Sequence, residues 1–183
     1  VCIGGEKFDW QNLKTGLIFK GSGQVSTAER LAYDPRVFVQ FQAKAWMDRP
    51  TALAWVEQVW IPFVEKSPST GEFLLFLDNL DAHAHMALCA LLKEKANTLT
   101  WMLPPGCTDI VQPVDAGAGK LMKYLYGVAQ DKWLDLYENL ELWESGKMTA
   151  SQRRILMTQW VGEATEAYNS PRYACLLYTS DAA

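Results

Sequence analysis

Metal fingers, disulfide scaffolds and membrane anchors find little to build on in this chain. It has four cysteines, Cys2, Cys89, Cys107 and Cys175, and no Cys-x-x-Cys pair. That spacing suggests neither a structural zinc nor a disulfide framework, and it fits a reducing compartment. The two histidines, His83 and His85, form an H-x-H with no third ligand at metal spacing, which argues against zinc. No apolar run approaches the roughly 18–20 residues of a membrane span, and no signal peptide is recognisable, so no membrane partner is expected. Positive charge is also scarce: the net charge is -4 and the pI about 5.2. A surface that grips nucleic acid throughout is usually basic, so the acidic balance counts against autonomous DNA binding. It leaves room for a catalytic domain whose grip comes from another module. The chain also lacks an initiator Met, and a truncated N-terminus is expected.

Apolar material is plentiful. Of the 183 residues 49% are hydrophobic and 21% charged, with 8 Trp, 7 Tyr and 7 Phe, enough to bury the core of one globular domain and to exclude disorder. Residues 17–20 read as a strand closed by Gly21-Ser22-Gly23, and residues 37–42 as a second strand. Asp48 caps a helix with Pro50 in its first turn, and Leu53, Val56, Val59, Trp60 and Phe63 give it an apolar face. The stripe of Trp46, Trp55 and Trp60 is assigned to the core. A strand at 73–77, a helix over about 84–96 and a strand at 99–103 follow, the last stopped by Pro104-Pro105-Gly106. Beyond Asp115 a long helical pattern runs through Leu121, Leu125, Val128, Trp133 and Tyr137, and a final helix covers about 149–168, capped by Thr149 or Ser151.

This order predicts an α/β fold. The strands at 73–77 and 99–103 are apolar on both faces, as buried parallel strands are, and a right-handed helical crossover joins them. The two earlier strands are close in sequence and are expected to pair antiparallel, which would make a mixed β-sheet flanked by helices. Active groups in such sheets collect at the carboxyl ends of parallel strands.

Phe73-Leu-Leu-Phe-Leu77 ends in Asp78, at such a carboxyl end. Gln112-Pro113-Val114 precedes a second carboxylate, Asp115, at the start of the long helix. Two carboxylates on neighbouring elements suit a hard divalent cation, which takes oxygen ligands and keeps some of its waters. Cutting a phosphodiester needs an activated nucleophile and a stabilised leaving oxygen, which paired divalent ions supply. Plainer readings exist for each residue. Asp78 can be a turn residue, with Asp81 a rival three positions on, and Asp115 an acid favoured by a helix N-terminus. Lys20 can meet a phosphate or simply be solvated. Lys120, Lys123, Lys132, Arg153 and Arg154 make a solvated helix face or a DNA-lining one. Residues 175–183 resemble the translation of a sequencing-library adapter and are set aside as a non-native tail.

Five stretches in order carry a family resemblance: Leu17-Ile-Phe-Lys-Gly21, Ala45-Trp-Met-Asp48, Leu74-Leu-Phe-Leu-Asp-Asn79 with His83, Leu103-Pro-Pro-Gly-Cys-Thr108 and Gln112-Pro-Val-Asp115. Over about residues 17–137 the chain resembles DDE-superfamily endonucleases. Within them it is most similar to the pogo/Tigger transposases and their domesticated relatives of the jerky and centromere protein B type. Each stretch alone is weak, and five in order with sensible gaps are specific.

The resemblance implies an RNase H-like mixed sheet, here truncated at its N-terminus, with residues 1–174 forming a partial catalytic domain. It implies three acids holding Mg²⁺ or Mn²⁺ at a two-metal site, with Asp78 matching the second acid and Asp115 the third. The first is expected upstream, because Glu6 and Asp9 sit too near the Leu17 motif; the fragment alone is therefore expected to be inactive. His83 is implied to hydrogen-bond near Asp78 or its loop. Asn79 either assists near the metal or caps the turn, and Gln112 either belongs to the turn that aims Asp115 or is an ordinary loop residue. DNA is the implied partner, both transposon ends and target, with a homo-oligomer in the transposition complex, a nuclear location and a separate helix-turn-helix module. The alternative is a domesticated DNA-binding or chromatin protein that no longer cuts. An unrelated α/β metal-dependent hydrolase is the third reading.

Overall fold

A computed structural model describes residues 13–68, 71–78, 80–103, 117–170 and 173. Strands β1 (Thr15–Lys20) and β2 (Val37–Gln42) pair in parallel, with Thr15 opposite Val37 and Lys20 opposite Gln42. The antiparallel pairing expected for them is therefore corrected. A parallel pair needs a crossover of roughly a dozen residues or more, and the stretch between the strands supplies one that contains a short helix, α1 (Thr27–Leu31). Ser26 starts α1 by accepting the Glu29 backbone N–H on its hydroxyl. Gly23, at φ 77°, makes the turn before it, where a β-carbon would crowd the Phe41 ring.

Asp48 caps α2 (Arg49–Trp55) through a reciprocal box with Thr51. The helix runs through a wider π-turn, Val56–Trp60, into α3 (Ile61–Lys66). Pro62 lies just beyond that turn and has no N–H for a regular α-helical bond, which accounts for the local widening. Strands β3 (Phe73–Leu77) and β4 (Thr98–Met102) form a second parallel pair, joined by α4 (Met86–Ala96). One face of this pair packs on Ala52, Val56, Trp60 and Phe63 from the α2–α3 run and on Leu88 and Leu92 from α4. Trp60 is 1% exposed and donates its indole N–H to Thr98 Oγ1 at 2.9 Å, so its polar atom is satisfied inside the core.

The other face departs from expectation. Leu74, Phe76, Leu99 and Trp101 are exposed, so among the described residues the strands bury one side rather than two. The tryptophan stripe divides in the same way: Trp60 is buried, Trp55 half-buried and stacked on it, and Trp46 is 68% exposed rather than in the core.

The remaining helices among the described residues are α5 (Gly119–Leu134), α6 (Tyr137–Glu144) and α7 (Ala150–Tyr168). The single long pattern expected through Tyr137 breaks after Leu134. Asn139 donates its side-chain amide to Trp133 O at 2.9 Å, satisfying a carbonyl near the interrupted end, and the reversal brings Trp143 against Trp133 and Trp160. Helix α5 packs on α7 through Leu125, Ala164 and Tyr168. Thr149, rather than Ser151, caps α7, in a box with Gln152. The α/β class holds: short parallel strand pairs lie among packed helices. Residues 175–183 lie outside the described residues.

Candidate active site

The parallel arrangement of β3 and β4 fixes where an acid after Leu77 must stand. Leu103 N–H donates to Leu77 O at 2.8 Å, holding β3 and β4 together to their ends and leaving Asp78 at the carboxyl rim. Asp78 is partly exposed, its side chain retaining 33% of its accessible surface. Its Oδ1 accepts the Leu80 backbone N–H at 3.1 Å and meets His83 Nδ1 at 2.6 Å. A carboxylate oxygen only accepts, so the Nδ1 carries the proton of that bond. Among the described residues Oδ2 receives no hydrogen bond.

The loop that performs this is itself anchored. Leu80 O accepts the backbone N–H groups of His83 and Ala84 at 2.8 and 3.1 Å, closing a turn. Ala82, 3% exposed, plugs that turn into the core beside Leu88 and Leu92. On the outside, Arg49 donates Nε and Nη2 to the two carboxylate oxygens of Asp81 at 3.0 and 2.9 Å. Arg49 is the first residue of α2, placed there by the Asp48 cap, and Gln42 at the end of β2 donates to Asp48 Oδ2 at 3.2 Å. The carboxyl ends of both strand pairs thus meet through Gln42, Asp48, Arg49 and Asp81. The Arg49 bond lowers the Asp81 pKa, and both side chains are exposed, so the contact is worth little energy.

Asp78 and His83 are brought together as anticipated. Asp81 is not a second strand-end acid, because it stands on the turn with both oxygens given to Arg49. His85 does not share that bond: its Nδ1 is buried with no hydrogen-bond partner among the described residues. Asp115, Gln112 and Asn79 lie outside the described residues. No cluster of three or more His, Cys, Asp or Glu side chains able to hold a metal occurs among the described residues.

The basic candidates divide. Lys20 is exposed at the end of β1, and Lys120, Lys123 and Lys132 are exposed on α5. Arg154 is neither solvated nor free for DNA: Nε and Nη2 bond the buried Glu29 at 2.6 and 3.0 Å. Arg153 lies 4.5 Å from the centroid of the Trp143 ring and donates to Trp143 O at 3.1 Å. The Arg154–Glu29 pair and the Arg49–Asp81 bridge were both missed from sequence, and their separations of 125 and 32 residues leave no local signal.

Among the described residues one carboxylate, Asp78, offers an oxygen of the kind a hard divalent cation takes, and one carboxylate is not a metal site by itself. Asp78 offers that oxygen at a strand end, with the companion oxygen already held by an N–H and an imidazole, the usual support of a ligating carboxylate. Together these features define an α/β nuclease-like domain. Residues 2–167 match the family model of the DDE superfamily endonuclease, and the chain belongs to that family. No curated protein and no solved structure gives a match. No helix among the described residues is long and apolar enough to cross a membrane.

Proposed function

We propose that the chain is part of the catalytic domain of a pogo/Tigger-type DDE transposase, which cuts DNA strands and transfers the freed ends. The observation that carries this reading is Asp78: an acid at the carboxyl end of a parallel strand, in a family of endonucleases, with one oxygen fixed and the other directed to no protein donor among the described residues. Asp78 and Asp115 would hold Mg²⁺ or Mn²⁺ together with a first acid contributed from upstream. When bound, such cations activate a water or a 3′-hydroxyl and neutralise charge on the leaving oxygen.

The work left to this chain is positional. Leu80 and His83 hold the Asp78 carboxylate in one orientation, and Ala82 and Asp81 fix the loop from inside and outside. Lys20 and the α5 lysines supply exposed positive charge to an otherwise acidic molecule, suited to the phosphates of transposon ends and target DNA. A separate basic module would provide sequence recognition. The protein would act in the nucleus as a homo-oligomer bound to paired DNA ends.

In the full reading frame, Asp78→Ala and Asp115→Ala should each abolish Mg²⁺-dependent nicking of a transposon-end duplex while leaving gel-shift affinity for that duplex unchanged. Cleavage surviving in either variant rejects the assignment. DNA binding with no cleavage in the unmodified protein would instead support the domesticated, non-cutting relative.

A further inference from the structure

We infer that His83 is a positioning residue that selects which Asp78 oxygen meets a cation, an inference that rests on the metal-dependent reading above. Oδ1 is occupied twice, by His83 Nδ1 at 2.6 Å and by Leu80 N–H at 3.1 Å, and the two donors approach from the same five-residue loop. Two donors on one oxygen leave that atom little lone-pair capacity and pin the carboxyl plane. Oδ2 is then the ligand oxygen, presented without a search through rotamers. A carboxylate held this way loses less freedom on binding a cation than a free one would.

His83 is suited to the role by its own surroundings. Its side chain is 21% exposed, and its backbone N–H is held by Leu80 O at 2.8 Å. The Cys89 thiol lies 4.0 Å from its carbonyl oxygen, on the first turns of α4. The imidazole therefore sits on a fixed backbone between the strand end and α4. It reaches Asp78 through Nδ1, the ring nitrogen nearer the backbone, and is not itself a ligand through that atom. This assigns His83 to the carboxylate and distinguishes it from His85, whose buried Nδ1 makes no hydrogen bond among the described residues.

The geometry makes a specific demand on substitutes. The asparagine amide nitrogen stands as many bonds from Cα as histidine Nδ1, whereas the glutamine amide nitrogen stands where Nε2 does. His83→Asn should therefore keep the bond to Oδ1, and His83→Gln and His83→Ala should lose it. In the metal-free 183-residue chain, ¹⁵N spectra should show His83 protonated at Nδ1; a proton resident on Nε2 alone overturns the proposal. Titration with Mn²⁺, followed by broadening of resonances from residues 77–83, should need about tenfold more metal in His83→Ala than in the wild type. His83→Asn should recover most of the difference and His83→Gln should not. Thermal melts of the Asn and Gln variants show that the comparison is made between folded chains. Equal Mn²⁺ response in wild type and His83→Ala, or equal rescue by Asn and Gln, rejects the role of His83. Broadening that is unchanged in Asp78→Ala rejects the metal site itself, a separate failure.

Discussion

Gly162 owes its place on α7 to Asp34. A β-carbon built at Gly162 would stand 2.4 Å from Asp34 Cγ and 2.5 Å from Oδ2, far inside contact distance. The carboxylate has no easy retreat, because the Arg36 backbone N–H and Nε hold Oδ1 at 2.9 Å and Nη2 holds Oδ2 at 2.7 Å. Alanine would gain up to about 1 kcal/mol of helix propensity, while overpacking a fixed neighbour costs about 1–3 kcal/mol. Overpacking wins. Gly162→Ala should lower the melting temperature by a few degrees, read by circular dichroism; an unchanged or raised value would show that Asp34 moves aside freely. At this scale the position of Asp78 at a strand end was legible, because five consecutive apolar residues run directly into it. Arg154 was not, because its partner Glu29 is on another helix and nothing local to either residue announces the pair.

Between elements, the Glu29–Arg154 contact ties α1 to α7. The Arg154 hydrogen bonds hold the Glu29 carboxyl down to about 2 against an ordinary 4.5, despite burial pushing the other way, with Tyr33 donating its hydroxyl as well. A depressed acid stabilises the fold above its unfolded value and loses that contribution as pH falls towards its folded one. The melting temperature of the wild type should therefore fall more steeply than that of Glu29→Gln between about pH 4.5 and 2; parallel curves would mean that the pair adds nothing pH-dependent. The cap of α7 could be narrowed to Thr149 or Ser151, and the boundaries of β2 and β3 and the cap at Asp48 could be read in advance, since each depends on a few adjacent residues. The parallel pairing of β1 with β2 could not. Alternation of apolar and polar residues reports which side of a strand is oily and says nothing about the direction of its neighbour. Nor could the bare face of Leu74, Phe76, Leu99 and Trp101, since composition records apolarity and not whether anything covers it.

Across the whole molecule, the family was legible from five short stretches in order, and the α/β class from the order of strand and helix patterns. The expected pairing of Asp78 with Asp115 rests on residues 104–116, which lie outside the described residues. What the sequence hid most completely is the way the two strand pairs are coupled. Gln42, Asp48 and Arg49 form a relay from the rim of one pair to Asp81 on the loop of the other. Its last link is an exposed ion pair, the kind of contact that dissolved salt weakens within a Debye length of about 8 Å at physiological strength. Rising sodium chloride should therefore speed amide exchange at residues 80–84 in the wild type and leave Asp81→Asn, already untethered, unmoved. A nuclease of the kind proposed above would then sense ionic strength twice, once in its hold on the duplex and once in the stiffness of the loop beneath Asp78.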